Sequence, residues 1–87
     1  MASYEVRFKK SVTKDLRRIP TQDVQRILGR IDALSEEPRP FDCTRLSGMD
    51  NYRIRVGHYR ILYQIEDNYL VVQIIKVAHR STVYRNH

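Results

Sequence analysis

The spacing of apolar residues changes period once along this chain, and that change constrains the fold more than any other feature. Between residues 11 and 34 the apolar side chains recur at helical intervals. Between residues 52 and 77 they alternate. Val12, Leu16 and Ile19 fall at i, i+4 and i+7, with Lys14, Asp15, Arg17 and Arg18 off that stripe; Ser11 is placed to cap the helix and Pro20 ends it. Thr21 opens a second helix by the same logic. Its face is Val24, Ile27, Leu28, Ile31 and Leu34, with Gln25, Arg26, Arg30 and Asp32 solvated. SEEPRPFD (35–42), with two prolines, then turns the chain away.

On either side of the helices the pattern is extended. YEVRF (4–8) puts Tyr4, Val6 and Phe8 on one side and Glu5 and Arg7 on the other. After a weak extended piece, CTRL (43–46), and the loop SGMDN, YRIRV (52–56) alternates strictly. Gly57-His58 reads as a tight turn, with YRILYQIE (59–66) as the hairpin partner. Asp67-Asn68 turns the chain again into YLVVQIIKV (69–77), apolar enough to be an inner strand. The order β-α-α-β-β-β is that of an α+β domain: a short N-terminal strand, a helical hairpin, then an antiparallel meander. The helices cover one face of a twisted antiparallel sheet and leave the other face partly open.

At 87 residues the expectation is a single domain over 1–87, with a modest core. Sixteen Lys+Arg against ten Asp+Glu leave a net charge of +6, which favours a polyanionic partner. Cys43 is the one cysteine, so no internal disulfide forms and a reducing cytoplasm is the expected compartment; it reads as a small apolar group. No apolar run approaches a membrane span, and MASYEVRFKK has no apolar leader core.

Alternation also assigns side chains to faces. If Tyr52, Ile54, Val56, Tyr59, Ile61, Tyr63 and Ile65 meet the helices, Arg53, Arg55 and Arg60 share the uncovered face of neighbouring strands. Three clustered guanidiniums repel one another and contribute little to folding; a phosphate or carboxylate partner would explain them, and a solvated basic hairpin face is the plainer reading. The ending KVAHRSTVYRNH (76–87) adds His79, Arg80, Tyr84 and Arg85. Arg80 and Tyr84 are four apart and so point together in either a strand or a helix. Histidine titrates near about 6.5, which makes His79 a proton-transfer candidate. The plainer readings are a strand-end histidine bonded to backbone and an aromatic that covers the edge of the core.

With these residues in view, the chain resembles the RelE-type toxins of bacterial toxin–antitoxin pairs, within the RelE/ParE superfamily. The stretches that carry the likeness are YEVRFKKSVTKDLRRIP, YRIRVGHYRILYQIED and KVAHRSTVYR, and it extends over essentially the whole chain. The resemblance implies a ribosome-dependent mRNA endoribonuclease that cuts the codon in the A site and is silenced by a cognate antitoxin. It implies attack by the substrate's own 2′-OH with no metal or other cofactor. The sequence holds no carboxylate pair and no His/Cys cluster at metal-ligand spacing.

Carried over by position, the likeness gives catalytic roles to Arg53, Arg55, Arg60, Arg80 and Tyr84, and RNA contacts to Arg53, Arg55, Arg60, Arg80 and Arg85. Arg53 and Arg55 stand where the best-known member has lysines. Arginine does not give up its proton, so both suit a phosphate clamp and not a general base. Asp50 is a distant candidate base and His58 an outlying one, which leaves His79 as the proton carrier, with Tyr84 behind it.

Two other readings stay open. A ParE-like gyrase inhibitor shares the fold and an antitoxin, and a catalytically degenerate basic RNA-binding domain would also carry this charge. The chain has no DNA-reading motif, so operator DNA would be met only through the antitoxin complex. No membrane partner is expected.

Overall fold

The structure, a computed structural model, describes residues 3–46 and 50–81. Strand β1 (Glu5–Phe8) leads into helices α1 (Lys10–Arg17) and α2 (Thr21–Ala33). Strands β2 (Thr44–Arg45), β3 (Asn51–Val56), β4 (Tyr59–Glu66) and β5 (Val71–His79) follow, with a 3-10 turn at Asp67–Tyr69 before β5. They form one sheet in the order β1-β5-β4-β3-β2. The α+β architecture is the one the two hydrophobic periods predict.

β2 through β5 run as an antiparallel meander. β1, in contrast, lies parallel to β5, with Glu5 opposite Val71 and Phe8 opposite Ile74, so the sheet is mixed and not antiparallel throughout. The meander leaves one side of β5 unpaired, and β1 occupies it. The most apolar strand thereby gains a neighbour on each side, which saves its backbone N–H and C=O groups from going unpaired.

The core lies between the helices and one face of the sheet. Val12, Ile27, Ile31 and Leu34 meet Tyr52, Ile54, Ile61, Tyr63, Ile65, Val72, Ile74 and Val77, all buried. Burying an aliphatic side chain of this kind contributes about 1.5–3 kcal/mol. The face expected of α2 is narrower than its sequence suggests: Leu28 remains 39% exposed and Val24 is half-buried. The helix starts also differ from expectation. Lys9 (φ −65°, ψ 145°) and Pro20 (φ −56°, ψ 143°) occupy the N-cap positions, and neither Ser11 nor Thr21 caps a helix with its side chain. The fixed φ of Pro20 suits the extended residue between two helices, so the one residue ends α1 and starts α2.

Gly57 has φ 58°, the left-handed value that glycine adopts without strain, and it closes the β3–β4 hairpin. β5 begins two residues later than its apolar run. Tyr69 is still in the 3-10 turn, and Leu70 takes a left-handed φ of 52° to leave it. One irregularity in β5 matters for everything beyond it. Leu62 faces Lys76 while its neighbour Tyr63 faces Ile74, so Ile75 is an extra residue, a β-bulge.

A polar network ties the proline loop to the far end of the sheet. The Arg39 guanidinium donates to both carboxylate oxygens of Asp67 (3.2 and 2.8 Å) and to the Tyr52 hydroxyl (3.0 Å). Tyr4 also donates to Asp67 (2.8 Å). The Tyr63 hydroxyl donates to the Pro38 carbonyl (2.8 Å), and burial holds that phenol well above its ordinary range. Among the described residues, no helix is long and apolar enough to cross a membrane.

Candidate nucleic-acid interface

The hairpin register places the arginines. Arg55 lies directly opposite Arg60, and Arg53 opposite Leu62 on one flank and Thr44 of β2 on the other. Because Tyr52, Ile54, Ile61 and Tyr63 take the helix side, the arginines take the opposite face, as alternation predicts. Arg55 is exposed; Arg53 and Arg60 are half-buried. Ala78 is the β5 neighbour of Arg60, so that strand itself puts only a methyl group beside it.

The electrostatics of this face differ from those of the rest of the chain. Arg7, Arg26, Arg30, Arg39, Arg45 and Lys76 each sit within ion-pair distance of a carboxylate. Among the described residues, neither Arg53 nor Arg55 does. Like charges directly opposite across a ladder disfavour strand pairing, so the Arg55–Arg60 register does not by itself favour the hairpin. A guanidinium cluster on a flat, open sheet face can hold a phosphodiester by bidentate, charge-assisted hydrogen bonds.

The Ile75 bulge decides which tail residues share that face. Uninterrupted alternation from Val72 and Ile74 would send residues 76, 78 and 80 to the helix side. The extra residue reverses this. Val77 faces Ile61 and His79 faces Tyr59 on the helix side, while Lys76 and Ala78 pair with Leu62 and Arg60 on the open side. The Arg80 N–H donates to the His58 carbonyl (2.6 Å), which carries the pairing one step past the strand. Arg80 itself lies past the end of β5, in the turn at residues 80–81, and is exposed. Arg53, Arg55 and Arg60 come together on the hairpin, and His79 does not join them.

His79 instead occupies a corner of its own. Its ring meets Tyr59 edge-on, with centroids 5.5 Å apart, and stacks on His58 at 6.0 Å. Nδ1 accepts the Ser81 backbone N–H at 3.2 Å, and the Ser81 hydroxyl lies 2.7 Å from the same nitrogen. In the neutral ring the proton therefore sits on Nε2. Beside this corner a cleft of about 330 Å³ opens between α1 and β5, bordered by Asp15, Arg18, Tyr59 and His79. Tyr84 and Arg85, singled out from the sequence, lie outside the described residues.

Sequence reasoning missed Lys76 and Asp15. The Asp15 carboxylate leaves the basic surface of α1, accepts the Val77 N–H (3.1 Å) and receives the Lys76 ammonium (3.1 Å). β1 ends opposite Ile74, and Asp15 satisfies the next stretch of exposed β5 edge. An acid among the basic residues of a helix was the available signal. Its partner is set by the bulge, which the sequence does not display.

Comparison with known proteins accords with this geometry. The family model for the ParE toxin of type II toxin–antitoxin systems (parDE) matches residues 6–84. The toxin RelG of Mycobacterium tuberculosis is 33% identical over 84 residues, spanning 94% of this chain and 97% of its own. Among solved structures, a chain of the archaeal RelE–RelB complex from Pyrococcus horikoshii superimposes with a TM-score of 0.83 at 34% identity, over 93% of this chain and 99% of that one. A chain of the toxin–antitoxin complex RelBE2 from M. tuberculosis gives 0.80 at 31% identity, over 90% and 99%. With its mixed sheet, helical hairpin and arginine face, the chain belongs to the RelE-type toxins of the RelE/ParE superfamily.

Proposed function

We propose that this chain is a toxin that cleaves mRNA in the ribosomal A site and thereby stops translation, acting in the cytoplasm under the control of a cognate antitoxin. The observation that carries the reading is the register of Arg55 against Arg60, with Arg53 beside them, on the sheet face opposite the helices. Neither Arg53 nor Arg55 has a carboxylate partner among the described residues.

The chemistry asks for three things. The substrate 2′-oxygen attacks the adjacent phosphorus and must lose a proton, the phosphorane gains negative charge, and the 5′-oxygen leaves with a proton. Arg53, Arg55 and Arg60 are positioned to hold the phosphate and the charge that grows on it, and Arg80 to support the leaving oxygen. These side chains stay cationic throughout, so they orient and stabilise without moving protons. His79 is proposed as the proton carrier on its chemistry alone; its ring lies on the face opposite the arginines at the end of β5, so the RNA would have to pass around that end of the sheet to meet both, with Tyr84 and Arg85 as further RNA contacts.

The antitoxin reading is supported by the complexes in which the similar P. horikoshii and M. tuberculosis chains were solved. An acidic or amphipathic segment laid across the arginine face would neutralise it. Operator DNA would then be met only through that complex.

The second reading is a gyrase inhibitor, favoured by the ParE model that matches the chain. Adding the purified protein to a cell-free translation system and mapping mRNA ends by primer extension separates the possibilities. Codon-phased cuts support the nuclease. Blocked translation with intact mRNA identifies a catalytically degenerate RNA binder, and undisturbed translation with inhibited supercoiling identifies the gyrase inhibitor.

A further inference from the structure

We infer that the exposed surface of α1 is a second nucleic-acid docking surface, distinct from the arginine face, which takes the phosphate backbone of a folded RNA. Residues 9–18, KKSVTKDLRR, hold five cations and one acid, and so supply +4 of the chain's net +6. The one acid is withdrawn from that surface: the Asp15 side chain is only 14% exposed and is engaged by Lys76 and the Val77 N–H. Lys9, Lys10, Lys14, Arg17 and Arg18 are all exposed, and none is ion-paired among the described residues.

The neighbouring helix shows the ordinary arrangement. On α2, Arg26 pairs with Asp23 at 2.7 Å and Arg30 with Asp42 at 2.8 Å. α1 does the reverse. Lys10, Lys14 and Arg17 fall at i, i+4 and i+7, so like charges stack on one stripe, at about 5–6 Å between neighbours. The first turn carries no acid to complement the helix dipole. The stacked like charges work against the helix while Lys14 and Arg17 in its last turn suit the dipole, and burial of Val12 together with Asp15 holds it in place. A surface on which every exposed charge is a cation suits a polyanion.

A phosphate backbone fits better than an acidic protein segment. The exposed positions beside the cations are the hydroxyls of Ser11 and Thr13, which donate to phosphate, whereas the apolar residues Val12 and Leu16 turn inward. Within α1 itself no apolar side chain is exposed; the nearest exposed one, Phe8, lies at the end of β1. α1 covers the helix side of the sheet, so one short strand lying on the arginine face cannot also reach it. A partner that touches both surfaces at once must be large and structured, and the surface would contribute affinity without chemistry. This goes beyond the nuclease reading and stands whether or not RNA is cut.

The test is binding of a fluorescein-labelled RNA hairpin, followed by anisotropy from low to physiological salt. Each phosphate neutralised contributes about 0.7–0.9 to the slope of log K against log salt. The variant K10Q/K14Q/R17Q should therefore lower the slope by about 2–3 and weaken binding more than tenfold at low salt. A thermal melt establishes that it remains folded. The charge-preserving K10R/K14R/R17K should keep the wild-type slope, and losing it would overturn the proposal, because shape and not charge would then be read. An unchanged slope in the glutamine variant also overturns it. So does a variant that binds the hairpin normally but loses binding to polyglutamate, which would assign the surface to an acidic protein. Primer extension reports on cleavage separately, so absence of cuts with an altered salt slope rejects the nuclease and leaves the docking surface standing.

Discussion

Arg55 and Arg60 face each other directly across the β3–β4 ladder, two guanidiniums in register on the uncovered side of the sheet. Such a pair opposes strand pairing by a few tenths of a kcal/mol to about 1 kcal/mol. Its removal should separate stability from function. Arg55→Gln should leave the melting temperature unchanged or slightly raised, while mRNA cleavage in a translation extract falls about ten- to hundredfold, as loss of a charge-assisted contact implies. A drop in both would mean that Arg55 is structural.

His79 is held by Ser81 through Nδ1 and shares its corner with Tyr59 and His58. If it carries the proton, His79→Ala should reduce the cleavage rate and erase the limb of the pH–rate profile that lies in the histidine range. Undiminished cleavage, or a profile with that limb intact, would reassign proton transfer to another group.

Asp15 closes the open edge of β5 beyond the end of β1. Asp15→Ala leaves the Val77 N–H and the Lys76 ammonium without their acceptor and should cost about 1–3 kcal/mol. In a domain of this size, each kcal/mol corresponds to about 4–8 °C in melting temperature. Asp15→Asn keeps an oxygen for Val77 and should be milder. Equal losses would show that the Lys76 charge pair, and not the backbone contact, is what matters.

The Arg39 hydrogen bonds, with help from Tyr4, hold the Asp67 carboxyl below its ordinary value of 3.8. A carboxyl with a lowered folded pKa stabilises the fold fully above 3.8 and loses that contribution as pH falls through the lowered value. Acid titration of thermal stability should therefore show a decline below about pH 4 that is shallower in Asp67→Asn. Identical slopes in the two proteins would remove Asp67 from the account.

The hairpin was legible because strict alternation on either side of Gly57-His58 leaves little choice of register or face. The α1 stripe was legible for the same reason, at helical period. The helix starts were not: Ser11 and Thr21 have the chemistry of caps, but the backbone turns two residues earlier at Lys9 and one earlier at Pro20. The start of β5 was misplaced because Tyr69 and Leu70 are apolar, yet serve the turn and remain exposed. Composition does not report a left-handed Leu70.

By itself the sequence determined the two hydrophobic periods, the faces of β3 and β4, and hence the cluster of Arg53, Arg55 and Arg60. Local alternation suffices for these because each strand pairs with its neighbour in the chain. Tertiary structure decided the parallel docking of β1 on β5, the burial of Asp15 against Val77 and Lys76, and the Ile75 bulge. The bulge had the largest consequence. One extra residue put Lys76 and Ala78 on the side of Arg60 and turned His79 away from it, because a strand's faces exchange with every single-residue shift in register.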